Sequence, residues 1–292
     1  VHPQTDPAPA PRGVLIPFFL ALFSGAMVLG PLIYLALHRW VPFHRAMDRA
    51  LLLSALAALR LAWPRLRLRA WWPLGRRAVF DGLLGLFAAF IAVQTIIGLE
   101  MACGGLTWAT LAAHARTHII TAAIVAALLV PPAEETIFRG FLQTEFSRLL
   151  GARAGWIIVA LLYALAHFLK IPDSLDHQPV HFWSGITAIG AAFQPLAQGW
   201  FLGWKGANLL ILGLLLGGVF RRTGTLWFNE GFHAGCILGL LLISGLTRPT
   251  RASFWTGEDV LSSPLTALVL AVLGWWLWRY YHRPPEAGST PP

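Results

Sequence analysis

Charge is in short supply in this sequence. Asp, Glu, Lys and Arg make up 12% of its 292 residues, where a soluble globule carries about a quarter. That shortage excludes a water-facing surface wrapped around a single core. Cysteine is scarcer still, with two residues. Cys103 and Cys236 lie in or beside apolar segments and in no metal-ligand spacing, which excludes a disulfide framework and a cysteine zinc site and leaves packing as their expected role. The zinc-helix pattern His-Glu-x-x-His, a Gly-rich phosphate loop and an internal repeat are all missing as well. No cleavable signal peptide is expected, because residues 1–12 are polar and Pro-rich and the apolar run from Gly13 is too long for a signal h-region.

What fills the chain instead is hydrocarbon: 57% hydrophobic residues and a mean hydropathy of +0.63. Gly13–Leu37, Ala78–Leu99 and Thr225–Leu246 each match the roughly 20 residues with which a helix crosses about 30 Å of lipid. The expectation is an integral, multi-pass protein of a bacterial inner membrane, with the bilayer as its first partner. The net charge of +9 does not point to nucleic acid, since the arginines lie between apolar runs rather than along one face. They read as topology signals.

The densest cationic block is His38–Arg77, with Arg39, Arg45, Arg49, Arg60, Arg65, Arg67, Arg69, Arg76 and Arg77; the positive-inside rule puts it in the cytoplasm. From there Ala78–Leu99 crosses outward, Thr117–Pro131 returns, Gly155–Ile171 goes out, Asn208–Phe220 returns, Thr225–Leu246 goes out and Pro264–Tyr280 returns. This path keeps Arg148, Arg153, Arg221, Arg222, Arg279 and Arg283 on the cytoplasmic side. Two segments stay open. Ala50–Trp63 is an eighth span, a re-entrant piece or an interfacial helix, and Phe182–Trp204 is a further span or, as the charge pattern favours, an outer-face interfacial segment. Trp40, Trp63, Trp71, Trp72, Trp200, Trp204 and Trp227 fall near span ends, where amphipathic rings settle. The fold expected is an all-α transmembrane bundle of seven to eight spans around a polar intramembrane cavity. It forms one domain over residues 13–282, flanked by disordered ends at 1–12 and 283–292.

Ionisable groups in hydrocarbon cost a few kcal/mol each, so those that remain are functional candidates. They gather in three places. In Pro131-Pro-Ala-Glu134-Glu135-Thr-Ile-Phe-Arg139-Gly140, the prolines are expected to end one helix and open the next, with both carboxylates in its first turn. Glu135 and Arg139 are spaced i, i+4 for an ion pair, and Glu134, about 100° round the helix, is free to face a cavity. His167 closes Tyr163-Ala-Leu-Ala-His167 in an apolar span, and Asn229, Glu230 and His233 share a helix face in another. A carboxylate and two imidazoles from three helices can surround one water, the glutamate taking its proton and imidazole stabilising the oxyanion.

Each group also has a plain alternative. A lone membrane histidine more often bonds one helix to another, and Glu135–Arg139 taken alone is a structural pair. His114/His118 and His177/His181 have the i, i+4 spacing of metal ligands, and both pairs fall in proposed outer-face segments.

Glu-Glu-x-x-x-Arg, then an aromatic-x-x-x-His, then a later helix bearing His resembles the three-motif pattern of the CAAX protease and bacteriocin-processing family, which includes proteins labelled abortive infection. Ala133–Gln143, Ala166-His-Phe168, Arg222-Thr-Gly-Thr-Leu-Trp227 and Phe232-His-Ala-Gly235 agree with it, and the resemblance spans roughly Ile119–Leu246. It implies an intramembrane endopeptidase acting on a membrane-anchored protein or peptide. Glu134 would be the water-activating base, His167 its partner and His233 the histidine near the oxyanion, with Glu135 and Arg139 in support. Tyr163 replaces the usual Phe of the second motif. Ile237 stands where family members often have Asn, which removes an oxyanion donor that Asn229 is positioned to replace. No cofactor is expected; if a metal takes part, zinc on Glu134, His167 and His233 is the set. The alternative is a transporter or scaffold using the buried Glu/His cluster for substrate or proton binding.

Overall fold

The structure is a computed structural model that describes residues 13–61, 66–110, 113–250, 253, 255–257 and 259–281. The end segments 1–12 and 283–292, expected to be disordered, lie outside the described residues. The described residues are predominantly helical. In order come α1 (Leu15–Leu37), α2 (Phe43–Ala58), a turn of helix α3 (Leu68–Trp71) and α4 (Arg76–Ala102), followed by the short strand β1 (Leu106–Trp108) and α5 (Ala113–Glu135). A π-helical stretch, Thr136–Gln143, leads into α6 (Thr144–Leu150) and α7 (Ala152–Ala166). Next are the short α8 (Ser184–Ala192) and α9 (Gln194–Ala197), then α10 (Trp204–Thr223), α11 (Trp227–Ser244), β2 (Thr247–Pro249) and α12 (Pro264–Tyr281). β1 and β2 pair antiparallel, Leu106 opposite Pro249.

Among the described residues four helices are long and apolar enough to cross a membrane: Leu15–Leu37, Arg76–Ala102, Thr117–Leu150 and Trp204–Thr223. The sequence path has seven to eight crossings. α7 is apolar but has only 15 residues, and α2 carries Arg45, Asp48 and Arg49 in its first half. Phe182–Trp204 forms no single long helix; it is divided among α8, α9 and a 3₁₀ turn at Trp200–Leu202.

By contact the chain divides into two compact units, residues 1–66 with 170–194, and residues 67–169 with 195–292. In the first, α1 meets α2 where Gly30 faces Met47, and α8 meets α1 where a side chain on Gly185 would run into the Met27 carbonyl. His44 on α2 gives its backbone N–H and Nδ1 to Asp176 at 2.9 and 2.6 Å. Partial burial pushes the Asp176 carboxyl up, but the two His44 hydrogen bonds outweigh it and hold the group below the usual range.

The second unit is built on the pairing of α4 with α11. A Cβ on Gly231 would lie 1.8 Å from the Gly82 carbonyl oxygen, and one on Gly235 would lie 2.3 Å from that of Leu86. Small residues let the two backbones touch, as membrane helices commonly require. Gly231→Val is therefore expected to pry α4 from α11 and lower the melting temperature of the detergent-solubilised protein sharply. Gly98→Ala, where an added Cβ meets nothing within 4 Å, should leave it unchanged.

Candidate active site

The acidic motif does not begin a new helix. α5 runs through Pro131 and Pro132 without a break to Glu135, and the helical path Thr117–Leu150 extends for 34 residues. The expected proline break is thus overturned. A proline ring already has the helical φ, so its cost here is the lost N–H bonds to the preceding turn. The irregularity lies further on. Thr136–Gln143 is wound as a π-helix, with Ile137, Arg139, Gly140, Phe141, Leu142 and Gln143 all buried; such wide turns are frequent at functional sites. Gln143 anchors the stretch to α10 by donating to the Gly217 carbonyl at 2.9 Å. Because the path continues to Leu150, Glu134 and Glu135 sit mid-helix rather than at an end.

Glu135 is the hub. Its carboxylate is fully buried and accepts hydrogen bonds from Arg139 Nη1 at 3.1 Å, His233 Nδ1 at 3.0 Å and Asn229 Nδ2 at 3.4 Å. Arg139, itself 1% exposed, also lies over the Tyr163 ring at 4.1 Å. The predicted Glu135–Arg139 pair is formed, and it holds the histidine of a third helix. Asn229 uses its other amide hydrogen on the Leu216 carbonyl at 2.9 Å. Both its donors are therefore taken, and it braces Glu135 instead of serving as a spare oxyanion donor.

Glu134 behaves differently from its neighbour. Its side chain keeps 28% exposure, and Oε2 lies 3.9 Å from His233 Nε2, too long for a hydrogen bond and short enough for one bridging oxygen. His233 thus stands between two carboxylates, bonded to Glu135 through Nδ1 and facing Glu134 with Nε2. His167 caps the carboxyl end of α7 instead of lying inside a span. Its Nδ1 meets the Tyr163 carbonyl at 2.8 Å; since a carbonyl only accepts, the proton sits on Nδ1 and Nε2 is left for the site. The Tyr163 ring packs edge-on against the imidazole at 4.5 Å. Glu230, in the first turn of α11, is half-buried. Its Oε2 is buried with no hydrogen-bond partner among the described residues.

A cavity of about 170 Å³ adjoins the histidines, lined by Tyr163, His167, His233 and Ile237 together with Ala92, Leu212 and further apolar side chains. The expected polar chamber needs correcting, since the lining is mostly hydrocarbon and Glu134 is not part of it. The apolar faces of α4, α10, α11 and α12 supply the wall; the imidazoles, Tyr163 and Thr266 add polar atoms.

Among the described residues no group of three or more His, Cys, Asp or Glu side chains is arranged to hold a metal ion. His177 ends a 3₁₀ helix, Asp173–His177, and His181 lies beyond it, so that i, i+4 pair shares no helical face.

Removing the hub has a predictable cost. Glu135→Ala leaves Arg139 buried without its carboxylate, and breaking a buried pair this way costs about 3–5 kcal/mol. A melt in detergent should fall accordingly, whereas Glu135→Gln, which still accepts a hydrogen bond, should fall less.

Residues 116–238 match the family model described as type II CAAX prenyl endopeptidase, Rce1-like. The matched stretch contains Glu134, Glu135, Arg139, Tyr163, His167, Asn229, Glu230, His233 and Ile237, and it bears out the family to which the three motifs point. No curated protein and no solved structure matches the chain significantly. The long apolar helices and this match together fit an integral membrane protein of a protease family.

Proposed function

We propose that this chain, a member of the Rce1-like type II CAAX prenyl endopeptidase family over residues 116–238, is an intramembrane endopeptidase that hydrolyses a membrane-anchored protein or peptide with glutamate-activated water. The observation that carries this reading is the 3.9 Å gap between Glu134 and His233, beside an imidazole whose other nitrogen is fixed by the buried Glu135. A water in the gap gives a proton to Glu134 as its oxygen attacks the scissile carbonyl carbon. His167 Nε2 accepts from the same water and orients it. Nε2–H of His233 donates to the oxyanion, and Glu135 balances the imidazolium charge. The C–N bond then breaks, and the proton held by Glu134 passes to the leaving amine.

The hydrocarbon wall around the histidines favours a substrate with apolar residues next to the scissile bond. It would enter laterally between the spans of a multi-pass bundle of seven to eight crossings. No cofactor takes part in these steps. Purified protein in detergent is expected to cut membrane-anchored peptides, prenylated or not, at sites read by mass spectrometry, with a rate indifferent to a metal chelator. Loss of cleavage in chelator that zinc alone restores would overturn the metal-free scheme. Folded protein that cuts no member of such a panel would contradict the proteolytic reading.

A further inference from the structure

A second concavity of about 610 Å³ lies among α7, α10 and α12, away from the histidines. Its lining joins cationic and aromatic side chains, Arg221 and Arg222 at the close of α10 with Trp156 and Trp278, to the hydrocarbon of Leu214 and Leu215, about two turns earlier on α10. The Arg221 guanidinium stacks on the Trp156 ring at 4.9 Å, a contact that uses its face and leaves the in-plane N–H donors for oxygen. Gly218 provides the open floor, since a Cβ there would meet only Trp156, at 3.7 Å.

Two arginines at a helix end offset the last-turn carbonyls and satisfy the positive-inside rule. Neither role requires a groove. A groove that joins guanidinium groups to a leucine wall, flanked by Trp156 and Trp278, matches a molecule that is anionic at one end and hydrocarbon at the other. We infer that the groove between α10 and α12 binds one anionic phospholipid, its phosphate on Arg221 and Arg222 and an acyl chain along Leu214 and Leu215. Basic pockets between membrane helices on the cytoplasmic side recognise such head groups. The site is independent of the proteolytic reading.

The test is native mass spectrometry of the full-length protein in detergent, titrated with phosphatidylglycerol or with phosphatidylcholine of the same acyl chains. One phosphatidylglycerol should bind saturably and phosphatidylcholine should not. Arg221→Gln with Arg222→Gln should weaken binding by about 25-fold, roughly five-fold per charge lost. Gly218→Leu keeps both charges and fills the floor, and it should weaken binding comparably while helical content by circular dichroism is unchanged. Equal binding of the two lipids, or undiminished binding by folded Gly218→Leu, would overturn the assignment. So would full competition by glycerol phosphate at the lipid's own concentration, which would mean that the hydrocarbon wall contributes nothing.

Discussion

Glu134→Gln is expected to abolish peptide cleavage, lowering the rate by roughly 10²–10⁴-fold as loss of a general base does, while the protein melts as wild type does. The two adjacent glutamates give this expectation its force. Glu135 is fully buried and accepts from Arg139, His233 and Asn229, so changing it disturbs the fold. Glu134 is partly exposed and faces His233 across a 3.9 Å gap. A glutamine there has the same shape and can accept a hydrogen bond, but it cannot take a proton from water. Opposite signatures should therefore appear at neighbouring positions, activity lost without stability at Glu134 and stability lost at Glu135. A Glu134→Gln variant that cuts at the wild-type rate would move the role of base elsewhere, with His167 the next candidate.

Ile237→Asn should raise kcat, by up to about 10²-fold if the amide reaches the oxyanion, since one such donor is worth about 10²–10³. Ile237 is one helical turn beyond His233 and lines the same cavity as both histidines. It stands where the family pattern often has Asn, and Asn229 cannot stand in for that amide because Glu135 and Leu216 take both its hydrogens. The added amide lies in a largely hydrocarbon wall and should reduce stability by about 1–3 kcal/mol when no substrate is bound. Ile237→Leu controls for shape and should leave kcat unchanged. If Ile237→Asn loses stability and gains no rate, the oxyanion forms on another side of His233.

The site was legible in the sequence because membrane helices have so few polar residues. Glu134, Glu135, Arg139, His167 and His233 stand out against hydrocarbon, and the i, i+4 rule alone gives the Glu135–Arg139 pair that the structure forms. Less legible was anything that depends on a backbone partner in another helix. The Leu216 carbonyl that takes Asn229 and the Gly217 carbonyl that takes Gln143 leave no trace in residue type. Pro131 and Pro132 read as a break because the sequence does not say whether neighbouring helices can tolerate the missing N–H groups. The π-helical turn after them has no residue signature either. Gly231 and Gly235 did carry a signal, small residues four apart on one helix, and its meaning became specific only once α4 lay against them. The cavity was expected to be polar because its histidines are polar, whereas the helices around it contribute mainly Ala, Leu, Ile and Val.

The most direct test of water activation at Glu134 is cleavage of a membrane-anchored peptide in H₂¹⁸O, with both fragments weighed. Wild-type protein should place one ¹⁸O in the new carboxyl terminus and none in the amine fragment, and Glu134→Gln, folded and at equal concentration, should yield no labelled product. Cleavage without label, or labelled product from Glu134→Gln at the wild-type rate, would contradict a mechanism in which this glutamate delivers water to the peptide bond.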